Sequence, residues 1–145
     1  MTPPGGSNTK SGSVFETLVV PALEKNGYIV TSQKTIGVGL GGGKQRLDTY
    51  AVSPAGEKIL ISLKWQAVSG TTDEKVPFEV IKMLDLLEQY EDFNKAYIIL
   101  GGDGMRKRLE KYYTDGSLAR WIKGSDKVKC LTLNQFINAC NRNTL

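Results

Sequence analysis

Ser62, Lys64 and Gln66 stand two residues apart in Lys58-Ile-Leu-Ile-Ser-Leu-Lys-Trp-Gln66, the spacing that places side chains on one face of an extended strand. Ile59, Ile61, Leu63 and Trp65 then face the other way. One face is expected to be core, while the other, begun by Leu60, ends in a polar cluster. Asp48 lies upstream in Arg46-Leu-Asp-Thr-Tyr-Ala-Val52, and the turn-forming Ser53-Pro-Ala-Gly56 should fold the two segments into a hairpin. An acid and a lysine on neighbouring strands can reach one phosphate. The carboxylate would hold a hard divalent cation, and the lysine or the metal would generate hydroxide and stabilise the crowded phosphorus. A structural ion pair is the plainer alternative, but Lys64 lies inside an otherwise apolar strand, where a buried ammonium is costly unless compensated. These four residues are therefore expected to form a metal-dependent site for cutting nucleic-acid phosphodiester bonds. In it, Gln66 is either a donor to the scissile phosphate or a polar strand end.

The absence of histidine from the chain removes Ser/His/Asp and Cys/His nucleophile pairs and every imidazole base. Cys130 and Cys140 are not a CxxC pair, and without histidine they complete no zinc site, so both are expected to be reduced, buried thiols. A net charge of +4 suits a polyanionic partner without identifying one. No apolar run approaches the roughly 20 residues of a membrane span, and Met1-Thr-Pro-Pro-Gly-Gly-Ser-Asn8 has no signal-peptide core. A soluble cytoplasmic protein is expected.

The elements that must position the site can be read from periodicity. Residues 1–11, rich in Pro, Gly, Ser and Asn, are expected to be disordered, with a single domain over 12–145. Val14, Leu18, Val19, Ala22 and Leu23 recur at helical spacing up to Asn26-Gly27, with Pro21 as a possible kink. Tyr28–Thr31 is a short strand, and Ile36-Gly-Val-Gly-Leu-Gly-Gly-Gly-Lys44 is a loop leading to the Asp48 strand. Pro77 to about Tyr90 is a helix with Val80, Ile81, Leu84, Leu86 and Leu87 on its apolar stripe, and Lys95–Leu100 is a buried strand. A basic helix at 105–113, a strand at 128–131 and a helix from Asn134 complete the order α, β, β, β, α, β, α, β, α. That order predicts an α/β fold with a central mixed sheet flanked by helices.

Taken together, these residues resemble the PD-(D/E)XK nuclease superfamily, which includes many type II restriction enzymes, Holliday-junction resolvases and some homing endonucleases. The resemblance spans roughly Gly12 to Leu100 and rests on Glu16 in Gly12-Ser-Val-Phe-Glu16, the Asp48 strand, the turn, and Ser62-Leu-Lys64 followed by Gln66. It implies a restriction-endonuclease-like core, Mg2+ (or Mn2+ in its place) bound by Asp48, a water positioned or activated by Lys64, and support of the metal shell by Glu16. The family's second acid is replaced here by Ser62, which cannot carry the charge. Some members with Ser-x-Lys draw the missing acid from the following helix, and Glu79 lies fifteen residues beyond Lys64, close to their spacing. Glu79 is thus the expected displaced ligand and Glu74 the reserve. Each acid also has a plain role: Glu79 as an exposed partner of Lys82, Glu74 in a capping box after Thr71, and Glu16 in one after Ser13.

Gly37-Val-Gly-Leu-Gly-Gly42 matches GxGxxG but leads into a strand rather than a helix, which argues against a dinucleotide site. Lys44, Arg46, Arg106, Lys107, Arg108 and Lys111 are candidate phosphate contacts, with Tyr112, Tyr113, Arg120 and Lys123 nearby; a solvated helix face is the alternative for the second group. The resemblance implies a Mg2+-dependent endonuclease acting on double-stranded or branched DNA and leaving a 5′-phosphate. Its role would be restriction or homing ahead of junction resolution, and its assembly a homodimer or larger symmetric oligomer. The rival is a nucleic-acid-binding module that keeps the fold without the full acid set.

Overall fold

The structure, a computed structural model, describes residues 12–145, and for 32–38 and 44–48 it describes the backbone alone. The expected disordered segment at 1–11 lies outside the described residues. A wide helical turn at Phe15–Val19 runs into helix α1 (Val20–Lys25), the Val20 N–H reaching back to the Phe15 carbonyl. Pro21 explains the widening: it has no N–H for the Thr17 carbonyl, and its ring would crowd that oxygen in a regular turn. Strands β1 (Ile29–Val38), β2 (Lys44–Val52) and β3 (Lys58–Trp65) follow. Then come helix α2 (Val76–Gln89), strand β4 (Phe93–Gly101), helix α3 (Lys107–Thr114), strand β5 (Val128–Thr132) and helix α4 (Leu133–Asn141).

The five strands form one mixed sheet in sequence order. β1, β2 and β3 pair antiparallel, whereas β4 pairs parallel to β3 and β5 parallel to β4. Two successive crossovers in one direction put their helices on the same side of the sheet. Leu60, Ala96, Ile98, Leu100, Val128 and Cys130 accordingly pack with Val76, Val80, Met83 and Leu86 of α2 and Tyr113 of α3. The opposite face, with Ala51, Ile59, Ile61, Tyr97 and Ile99, packs on Val19, Ala22 and Leu23 and on Phe136 and Cys140 of α4. Both faces of β3 are therefore core through Leu60 and Ile61, and polarity begins only at Ser62.

β1 is much longer than the four residues expected, because an edge strand paired through its backbone to β2 needs no apolar alternation. The glycine-rich GxGxxG stretch forms the β1–β2 connection, with a short helical turn at Leu40–Gly42, and opens no longer helix. Both thiols are free and buried; burial pushes Cys130 up to about 12 and Cys140 to about 11, so each stays protonated. Among the described residues, no helix is long and apolar enough to cross a membrane.

At the end of β3 the chain packs against the turn that follows β4. Gly102 has φ +102°, and a Cβ there would lie 2.1 Å from the Gln66 carbonyl oxygen; one on Gly104 would lie 2.1 Å from that of Val68. Glycine lets the two backbones meet. The meeting is held by Gln66 N–H on the Gly101 carbonyl at 2.9 Å and Gly104 N–H on the Gln66 carbonyl at 2.8 Å.

Candidate active site

β3 carries Ser62 and Lys64 level with Ile98 and Leu100 of β4, on the face covered by α2. Apolar residues at Val76, Val80 and Met83 dock the first turns of α2, and the same helical phase turns Glu79 inward. Glu79 is 6% exposed, and its Oε1 forms ion pairs with Lys64 Nζ at 3.3 Å and Lys82 Nζ at 3.5 Å. A helix thus returns a carboxylate to the lysine of the strand. Glu79 is buried rather than exposed, and it bridges Lys64 as well as its helical neighbour Lys82.

Burial would push the Glu79 carboxyl up, but Lys64 first, then Lys82 and the Ser62 hydroxyl, draw it below its ordinary value. Ser62 is fully buried, and its Oγ, although close enough to act on Glu79, has no partner in hydrogen-bond geometry among the described residues. A folded-state pKa below the ordinary 4.5 means that the ion pairs add stability above that pH and lose it as pH falls through the folded value. In EDTA, wild type should melt above Glu79→Gln at neutral pH, with the gap narrowing as pH falls below about 4.5. Thermal unfolding across that range measures it; a constant gap would contradict the ionised pair.

The remaining candidates divide by position. Asp48 lies in β2, one residue before Thr49, which pairs with Ile61; its side chain lies outside the described residues, as do those of Lys44 and Arg46. Glu16 is exposed on the wide turn ahead of α1, in the layer against the opposite sheet face, and makes no ion pair among the described residues. Ser13 lies within the helical run, and among the described residues no side-chain cap is made at the start of Phe15–Val19, so the box with Glu16 is not seen there. The Thr71 box is likewise unformed, and Glu74 instead pairs with Arg106 at 3.1 Å.

Gln66 is committed inside the protein, which argues against its donating to a phosphate. Its Nε2 donates to the Gly104 carbonyl at 2.6 Å and to Asp73 Oδ2 at 3.4 Å, and its Oε1 accepts the Asp73 N–H at 2.7 Å. Asp73, fully buried in the turn Thr72–Lys75, is the hub that sequence reasoning missed. Its Oδ2 also accepts the Arg106 backbone N–H at 3.1 Å, and its carbonyl accepts the Tyr113 hydroxyl at 2.7 Å. The Arg106 guanidinium spans Asp73 Oδ1 at 3.6 Å, Glu74 at 3.1 Å and the Gly70 carbonyl at 3.2 Å, so this cation clamps loops together. Lys107, Arg108 and Lys111 are exposed on α3, Lys107 within 3.6 Å of Glu110. Beyond them the exposed Trp121 ring lies under the Arg120 guanidinium, 5.1 Å away, and its N–H donates to the Tyr112 hydroxyl at 2.6 Å.

Among the described residues, no three acidic or cysteine side chains gather into a ready metal centre. What is present suits a hard cation nonetheless. A buried, ionised carboxylate and the neighbouring buried hydroxyl of Ser62 are oxygen donors of the class that divalent magnesium or manganese takes.

A family model described as a PD-(D/E)XK nuclease superfamily domain matches residues 7–144. Among curated proteins, none matches the sequence significantly. Among solved structures, the chain is similar to a repair endonuclease from Pyrococcus abyssi, at 11% identity and a TM-score of 0.41, over 91% of this chain and 47% of that one. It therefore spans about half the length of that protein.

Proposed function

The chain belongs to the PD-(D/E)XK nuclease superfamily, and from that premise we propose that it is a divalent-metal-dependent DNA endonuclease that leaves a 5′-phosphate. One observation carries the reading: Glu79 of α2 meets Lys64 of β3 beside Ser62, at the strand position where the family's second acid is missing. A structural ion pair would serve as well on an exposed edge. Here it is buried, beside Ser62 where β3 turns polar.

In this reading Glu79 and Asp48 are the metal ligands. Asp48 directly precedes Thr49, whose strand partner Ile61 directly precedes Ser62. Glu16, in the layer on the far face, is left out of the set. A bound Mg2+ would lower the pKa of water and offset charge on the phosphate. Lys64 holds the attacking water by its ammonium. The water oxygen bonds to phosphorus as the P–O3′ bond breaks, its proton passes to solvent, and the 3′ oxygen takes up a proton. Lys107, Arg108 and Lys111 offer positive charge to the DNA backbone. One chain offers one such site, so cutting both strands of a duplex calls for a homodimer or a larger symmetric assembly. A restriction or homing role ranks ahead of junction resolution.

Incubation of the purified protein with plasmid, linear and branched DNA, in Mg2+ or in EDTA, tests the proposal. Cleavage in Mg2+ and none in EDTA is expected, and the preferred DNA form assigns the role. No cleavage with any divalent metal would sink the enzyme reading, and DNA binding without cleavage would assign a binding module instead.

A further inference from the structure

Lys82 has no part in the chemistry so far, yet it shares a single carboxylate oxygen with Lys64. Two ammonium groups converge on Glu79 Oε1, at 3.3 Å and 3.5 Å, in a place where one counter-charge would satisfy the buried acid. The side chains of Lys64 and Lys82 remain 27% and 30% exposed, so both heads reach solvent while Glu79 does not. Lys64 is fixed to a central strand, level with Leu100 of β4. Lys82, one helical turn beyond Glu79, hangs on a flexible stem from α2 and can swing away at little cost.

We propose that Lys82 is an exchangeable counter-ion: it holds Glu79 in the metal-free protein, competes with the divalent cation for that carboxylate, and once displaced turns its ammonium to the DNA phosphate. This rests on the reading of Glu79 as a metal ligand. Electrostatics supports the exchange, because a divalent cation on Glu79 repels both nearby ammonium groups, and the one that is free to move relaxes outward. A phosphate anion arriving at the same place then supplies the charge that Lys82 has lost.

The test measures metal binding without DNA. Mn2+ binding, followed by the loss of its free-ion paramagnetic resonance signal, should be about three- to tenfold tighter in Lys82→Met than in wild type. Lys82→Arg, which keeps the charge, should bind Mn2+ like wild type. In cleavage assays Lys82→Met should raise KM for DNA severalfold more than it lowers kcat, a split that a purely structural role would not give. Lys82→Gln serves if the methionine variant does not fold. Equal Mn2+ affinity in wild type and Lys82→Met, with KM unchanged, overturns the inference while leaving the nuclease reading standing. A wild type that binds no Mn2+ and cuts no DNA overturns both.

Discussion

Lys64→Ala should lower DNA cleavage by roughly 10²- to 10⁴-fold while leaving DNA binding in place. The charge of Lys64 is set on a central strand and aimed at a buried carboxylate, whereas Lys82 reaches that carboxylate from the helix. Lys82 would still neutralise Glu79, and for that reason the variant should fold. Single-turnover cleavage with saturating protein separates the chemical step from binding. Asp48→Ala belongs with it and should be equally inactive. Cleavage by Lys64→Ala at close to the wild-type rate would return the Lys64–Glu79 pair to a purely structural role.

Asp73→Ala should destabilise the protein by about 2–4 kcal/mol, with no direct effect on the chemical groups. Two inward-facing donors would lose their acceptor, the Arg106 backbone N–H and one proton of the Gln66 amide, while the exposed guanidinium would lose Asp73 but keep Glu74 and the Gly70 carbonyl. Urea unfolding measures the loss. Asp73→Asn, which keeps the shape and one acceptor, should lose less. A change below about 0.5 kcal/mol would mean that the hub adds nothing beyond ordinary surface contacts. The network ties the end of β3 to the turn after β4, so its loosening should also lower cleavage indirectly, through the placement of Lys64.

The order of elements was legible because it follows from periodicity, whereas Glu79 is singled out by the family resemblance, as the acid fifteen residues beyond Lys64. Alternation put Ser62 and Lys64 on one face of β3. The helix legible in the sequence, however, begins at Pro77 with an apolar stripe of Val80, Ile81, Leu84, Leu86 and Leu87, and only the structure shows Glu79 in phase with Val76, Val80 and Met83. The inward turn of Glu79 was less apparent, since an acid three residues before a lysine reads equally well as an exposed pair. The partners of Gln66 were not legible because they lie 7 and 38 residues away, in a turn and a loop with no periodicity. Asp73 escaped notice for the same reason: among Thr71, Thr72 and Glu74 it looks like part of a solvated turn. β1 ran past its apolar stretch because backbone pairing alone extends an edge. The reach of Glu16 depended on which layer α1 joins, and apolar spacing gives an amphipathic helix without saying which face of the sheet it covers.

The placement of the two thiols has a practical consequence. Cys130 sits in the layer with α2, α3 and the Glu79 side of the sheet, and Cys140 in the layer with α1 on the reverse. Because each is buried and held protonated, alkylation can proceed only through opening events. The molecule therefore carries a built-in reporter in each layer. The ratio of their labelling rates, read by mass after proteolysis, would tell whether a ligand at the carboxylate quiets one side of the sheet or the whole fold.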